Sequence, residues 1–256
     1  MLLAIDCGNT NIVFAVFSDD GTIRGEWRSS TDSHRTADEF GVWLDQLMAI
    51  NGIDRNGITS AIIATVVPAN LFSLRMLCRN YFDVVPLVIG SPDVKLGLEL
   101  LVDRPEDVGA DRVVNAVSAY DTYGGPLIIV DFGTATTLDL INGDGDYMGG
   151  VILPGVNLSL EALHLAAAQL PRVAIHRPER VIGKGTVEAM QSGIYFGYVS
   201  MIEGFVKRIV EEYGSPVEVI ATGGLSSLFT EATDCIKTAD PDLTLRGLYA
   251  IYQRNT

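Results

Sequence analysis

The sequence predicts an α/β protein built from two copies of one mixed-sheet domain, and three observations carry that prediction. An apolar run closing on Asp-x-Gly, Leu3-Ala-Ile-Asp6-Cys-Gly8-Asn9, returns 125 positions later as Leu127-Ile-Ile-Val-Asp131-Phe-Gly133-Thr134 (131 − 6 = 125). Each half then alternates β-rich runs with helical ones, the pattern of a sheet covered by helices. A chain of 256 residues also has room for two domains of roughly 120 residues, each with its own core.

The first half reads element by element. Leu2 to Asp6 and Ile12 to Phe17 are β-rich runs about the polar turn Gly8-Asn9-Thr10, and Asp19-Asp20-Gly21 turns the chain into a third strand, Thr22 to Arg28. Thr36-Ala-Asp-Glu opens a capped helix whose Phe40, Trp43, Leu44, Leu47 and Met48 fall at helical spacing. Ala61 to Val67 is a buried strand that Pro68 stops.

In the second half Thr136 to Asn142 repeats the second strand, Gly143-Asp-Gly-Asp repeats the turn, and Gly150 takes the place of Gly25. Val219-Ile-Ala-Thr222 echoes Ile62-Ile-Ala-Thr65 at an offset of 157, which implies 32 inserted residues between Pro154 and Val217 (157 − 125). The expected domains are 1–120 and 121–256, the second with an insertion around 155–215.

Composition narrows the function. Apolar residues make up 48% and charged ones 20% of the chain, which is globular and not disordered. Eighteen Lys and Arg against 32 Asp and Glu give a formal charge of −14, which repels a nucleic-acid backbone. Such a protein binds phosphates locally, through backbone N–H groups, helix N-termini and cations. Cys7, Cys78 and Cys235 are odd in number and widely spaced, so neither a disulfide framework nor a zinc site is expected. Without a basic leader or a long apolar window, the expectation is a cytoplasmic protein that is neither exported nor membrane-spanning.

Asp6-Cys7-Gly8-Asn9-Thr10-Asn11 follows a strand directly. A carboxylate there can hold a hydrated Mg²⁺, Gly8 admits a phosphate close to the backbone, and the next three side chains are short polar donors. No Gly-Lys-Ser/Thr follows, so this is not a Walker loop; read alone, it is equally an ordinary hairpin turn. Asp131 to Thr137 has the same logic with three threonines, and the two loops are expected to clamp a triphosphate from opposite sides of a cleft. Gly149-Gly150 to Pro154-Gly155 and Ala221-Thr222-Gly223-Gly224 are further turns where bare backbone could meet a nucleotide.

Gly109-Ala110-Asp111-Arg112 precedes an apolar helix. Asp111 is either a helix cap paired with Arg112 or a carboxylate that takes a proton from an alcohol, and the residues alone leave both open. His34, His164 and His176 have no ligand-spaced partner, and Cys7 reads as a small buried filler.

The duplicated Asp-x-Gly loops with Ala-Thr-Gly-Gly resemble the actin-like (ribonuclease H-like) superfamily that includes sugar kinases. Asp6-x-Gly-Asn-Thr, Gly109-Ala-Asp-Arg112, Asp131-x-Gly-Thr-Ala-Thr-Thr137, Gly149-Gly-x-Ile-x-Pro-Gly155 and Ala-Met-Gln-Ser-Gly193 together resemble type III pantothenate kinase, from Leu3 to Gly224. The resemblance implies mixed five-stranded sheets with flanking helices and ATP-dependent phosphorylation of pantothenate, the first step of coenzyme A synthesis. It implies Asp111 as base, and Gly109, Ala110, Asp111, Arg112 and Thr186 on pantothenate. Asp6, Cys7, Gly8, Asn9, Thr10, Asn11, Ile12, Val13 and Thr134 are implied on ATP. Asp131 is implied to hold a monovalent cation, K⁺ or NH₄⁺, and Asp6 to hold Mg²⁺ through water. A homodimer whose partner subunit completes the pantothenate pocket is implied as well.

Two positions depart from the family pattern. Leu100-Leu101-Val102-Asp103 stands where many members carry a pantothenate-contacting Tyr, and Gly185 stands where an Asn commonly precedes the Thr. The other readings are a kinase for another small hydroxy acid or sugar, which Arg112 makes less attractive, and a non-catalytic regulator on the same fold. Asp6, Asp111 and Asp131 together disfavour a regulator.

Overall fold

The protein is described by a computed structural model covering residues 1–166 and 170–256. They form two compact units, one of residues 1–99, 103–121 and 243–256, the other of residues 100–102 and 122–242.

The sheet of the first unit has the order β3-β2-β1-β4-β5, from β1 (Leu2–Cys7), β2 (Asn11–Phe17), β3 (Ile23–Ser30), β4 (Ser60–Thr65) and β5 (Leu87–Val88). Strands β1, β2 and β3 are antiparallel neighbours, whereas β4 and β5 join β1 in parallel. The second unit repeats this plan as β8-β7-β6-β9-β10, with β6 (Leu127–Phe132), β7 (Ala135–Ile141), β8 (Tyr147–Pro154), β9 (Glu218–Gly223) and β10 (Thr238–Ala239). Both mixed sheets thus have the five strands the sequence implied.

The register refines the repeat. Asp6 lies opposite Val13 and Asp131 opposite Thr137, so the hairpin of the second unit is one residue shorter. Its turn closes with Gly133 N–H to Ala135 O (3.0 Å), where the first closes with Gly8 N–H to Asn11 O (3.0 Å). Gly25 pairs with Val16 and Gly149 with Leu140, so the counterpart of Gly25 is Gly149 and not Gly150. Likewise Asp6 neighbours Ala64 and Asp131 neighbours Thr222, an offset of 158 (222 − 64). Measured from the 124 of the neighbouring hairpin (149 − 25), the insertion is 34 residues instead of 32. Ile-Ala-Thr matches in letters one position away, but a one-residue slip would send buried side chains to the wrong face.

Helices cover both faces of the first sheet. Helix α1 (Ala37–Ile50) starts at a capping box of Thr36 and Glu39 and buries Phe40, Leu44 and Met48. With α2 (Pro68–Phe82) it closes a core around Leu3, Ile5, Phe14 and Val16. On the other face, Ala4, Ala15, Ile62 and Ala64 meet Val114 and Val117 of α3 (Ala110–Tyr123). Leu245, Leu248 and Ile251 of α7 (Leu243–Gln253) join that core. The last helix therefore belongs with the first unit although chain order puts it in the second half. A Cβ at Gly247 would lie 2.2 Å from the Val114 carbonyl oxygen, so a side chain there would push α7 off α3.

In the second unit α5 (Thr186–Tyr213) carries Tyr195, Tyr198, Ile202 and Val206 onto a core with Phe132, Leu138 and Val219. Helix α4 (Val156–Ala166), the segment from 170 to 185 and the length of α5 account for the insertion. A short α6 (Ser226–Thr230) follows β9.

Candidate active site

Within the first unit, Gly109-Ala110-Asp111-Arg112 lies near the end of β1 that carries Cys7, through Val66. The Val66 N–H donates to Cys7 O (3.1 Å), and the Val66 side chain lies 3.5 Å from where a Cβ on Gly109 would be. Asp6 is half-buried, while Asn9, Thr10 and Asn11 are exposed on the turn. The turn is braced by Thr31, whose hydroxyl donates to Gly8 O (2.6 Å) and whose N–H donates to Thr10 O (2.9 Å). Cys7 and Ile12 point into the core with no exposed surface, so of the expected nucleotide-contacting residues these two can offer only backbone. Burial pushes the Cys7 thiol above its usual range, more than hydrogen bonds from Thr65 and Asn70 lower it. It is a packing residue.

Asp111 sits in the first turn of α3. Gly109 O accepts the Val113 N–H (3.2 Å), and the Asp111 carboxylate accepts the Arg112 N–H (2.8 Å). A helix start leaves N–H groups without intrahelical partners, and Asp111 satisfies one of them from inside the turn. Any Cβ at position 109 would approach Asp111 Oδ1 to 2.6 Å. A side chain at 109 would therefore make the Asp111 carboxylate shift.

The second unit holds Asp131, Thr134 and Thr186. Asp131 is half-buried near the end of β6, opposite Thr137 and beside Thr222. Gly223 has φ +87°, and a Cβ there would lie 2.6 Å from Asp131 Oδ1. Thr134 is exposed on the turn, and its carbonyl accepts the Gly155 N–H (3.1 Å). Thr186 is the exposed first residue of α5, and Gly185 before it supplies no side-chain cap. An Asn at 185 could have capped it; instead the Lys184 N–H is held by Glu188 (2.8 Å).

The sequence reading missed Asp139. This carboxylate is 1% exposed, accepts the Tyr147 hydroxyl (2.7 Å) and accepts the Thr137 hydroxyl (3.0 Å). Its signal was an acid in the middle of a strand, between Leu138 and Leu140. Across β6 and β7 the carboxylate-bearing Asp131 faces the hydroxyl-bearing Thr137, and no grouping of three or more His, Cys, Asp or Glu occurs among the described residues. That donor chemistry suits a hard cation. Concavities of about 160 and 320 Å³ in the first unit, lined by Leu2 and Tyr249 and by Ser60 and Asp83 among others, contain none of the candidate residues.

Known proteins give the site its context. The sequence profile of type III pantothenate kinase matches residues 2–208. A type III pantothenate kinase of Rhodospirillum rubrum is 64% identical over 255 residues, covering 100% of this chain and 99% of that protein. The same-named protein of Paramagnetospirillum magneticum is 65% identical over 256 residues, covering 100% and 98%. Among solved structures, a Sinorhizobium meliloti protein assigned as a 2-dehydro-3-deoxygalactonokinase superposes with a TM-score of 0.59. It is 14% identical, with 99% of this chain and 96% of that one covered, a likeness of fold. The chain belongs to the type III pantothenate kinase family.

Proposed function

We propose that Asp111 is the general base as this enzyme phosphorylates pantothenate with ATP, the first step of coenzyme A synthesis. One observation supports this above the others: the Asp111 carboxylate stands in the first turn of α3 folded back over Gly109, where a Cβ would come within 2.6 Å of its Oδ1. In that role it takes the proton of the primary hydroxyl as the oxygen attacks the γ-phosphorus in line, while the bond from that phosphorus to the β,γ-bridging oxygen breaks and ADP leaves with the electron pair. Arg112, with Gly109 and Ala110, holds the acidic substrate, and Thr186 contacts it from the inserted segment. Asp6 to Val13 and Thr134 bind ATP, with the turn backbone at Gly8 admitting phosphate oxygens. Phosphoryl transfer is mainly positioning and charge stabilisation, so no covalent phosphoenzyme is needed.

Asp6 would hold Mg²⁺ through water and Asp131 a monovalent cation, K⁺ or NH₄⁺. Bound there, such ions neutralise triphosphate charge in a protein whose own formal charge is −14.

The enzyme works as a cytoplasmic homodimer in this reading. Among the described residues no helix is long and apolar enough to cross a membrane. Support for a second copy comes from the inserted segment, where Leu158, Leu163, Leu165, Val181, Ile182 and Val187 are exposed; light scattering at micromolar concentration tests it.

The decisive experiment measures ADP release with pantothenate, pantetheine, acetate and hexoses, each with and without K⁺. Turnover with pantothenate that needs K⁺ is expected. Preference for a hexose would reassign the substrate.

A further inference from the structure

We propose that the Thr137 hydroxyl is a second protein ligand, beside Asp131, for the monovalent cation, and that buried Asp139 is the positioning residue that makes it one. The proposal rests on the reading of Asp131 as a cation ligand.

Asp131 and Thr137 are direct partners on β6 and β7. Opposed residues of an antiparallel pair share a face, with Cβ atoms about 5 Å apart. A threonine hydroxyl has one proton and two lone pairs. Here the proton is committed, because Thr137 Oγ1 donates to Asp139 Oδ2 at 3.0 Å. What Thr137 can turn toward Asp131 is lone-pair density. An oxygen so fixed cannot donate to a phosphate or to the Asp131 carboxylate. Set beside a carboxylate, it makes a pair of acceptors, whose common complement is a cation: bare K⁺, or NH₄⁺ donating its protons.

Asp139 is locked in this task. It is 1% exposed, and its other oxygen accepts the hydroxyl of Tyr147, which is also 1% exposed. Burying a carboxylate in a sheet costs stability unless hydrogen bonds offset it.

The fold itself does not require the arrangement. By the paired registers, Thr137, Asp139 and Tyr147 correspond to Val13, Ala15 and Ile23, which build the same hairpin in the first unit from apolar side chains. The polar trio belongs to the unit that carries Asp131 and is absent from the one that carries Asp6.

The test uses the full-length enzyme with Mg²⁺ and ADP, titrated with KCl or NH₄Cl against choline chloride at constant ionic strength. Melting temperature is followed, and half-maximal cation concentration is measured separately in the kinase assay. Thr137→Val, which installs the side chain of Val13, and Asp139→Asn should each raise the half-saturating concentration about 10- to 100-fold in both readouts, the usual cost of disturbing a ligand or its support. Thr137→Ser should restore the wild-type value. If Asp131→Asn loses the cation response while Thr137→Val keeps the wild-type half-point, the Thr137 proposal falls and the Asp131 reading stands. If Asp131→Asn responds like wild type, or wild type shows no response, both fall.

Discussion

Asp131 and Gly223 lie on the adjacent parallel strands β6 and β9, and a Cβ on Gly223 would stand 2.6 Å from the Asp131 carboxylate and 2.7 Å from the Phe132 carbonyl. The glycine also holds φ +87°, where side chains are strained. Gly223→Ala is therefore expected to displace Asp131 and to lower kcat/KM at least about tenfold. The strain costs on the order of 1–3 kcal/mol of stability. Steady-state kinetics beside a melting curve check this, and wild-type kinetics would show that Asp131 does not need its place.

Asp111→Asn keeps the oxygen that accepts the Arg112 N–H (2.8 Å) but cannot take a proton. General-base catalysis contributes about 100- to 10,000-fold, whereas a helix-start hydrogen bond is worth about 1 kcal/mol. A kcat loss of that size at an unchanged melting temperature is expected. Asp107→Asn is the control, since Asp107 pairs with Arg104 (3.2 Å) with both side chains more than half exposed, and it should turn over normally. Near-wild-type kcat for Asp111→Asn would make Asp111 a helix-start residue only.

Burial pushes the Cys78 thiol up to about 12 from 9.0. The folded protein keeps this proton while the unfolded chain loses it above pH 9, so stability falls as pH rises from about 9 toward 12. Urea unfolding at pH 7, 9 and 10.5 should show that fall, and Cys78→Ala, though less stable at neutral pH, should show a shallower one. Parallel pH profiles for the two proteins would refute the assignment.

Thr36 and Glu39 bond reciprocally at the start of α1: Glu39 Oε2 accepts the Thr36 N–H (2.7 Å) and Thr36 Oγ1 accepts the Glu39 N–H (3.3 Å). Thr36→Ala should cost about 1 kcal/mol, or about 2–4 °C of melting temperature, with kcat unchanged. A kcat change at equal folded fraction would tie α1 to the chemistry.

Much of the fold was legible because local signals agreed with the global ones. The Thr36-x-x-Glu39 box and the helical spacing of Phe40, Leu44 and Met48 survive in place, whereas β4 ends at Thr65, before Val66 and Val67, and Pro68 opens α2 instead of stopping the strand. The repeat was legible in order but slipped in register, since Gly149 and Gly150 offer the same letter and Ile-Ala-Thr recurs one residue out of phase. Gly109 and Asp111 were legible as neighbours, but the close approach of the carboxylate to Gly109 depends on where that side chain folds back.

By itself the sequence determined what is written in short-range pattern: the α/β class, the duplication, the Asp-x-Gly turns and the motifs that mark the family. Periodicity and turn chemistry act over a few residues, so they can be read from the chain. Only the tertiary structure decided that α7 joins the first unit, that Thr222 matches Ala64, and that Asp139 commits the Thr137 proton. Each of these depends on which face of a sheet a side chain takes and what lies across from it, and those are fixed by pairing between strands and helices distant in sequence.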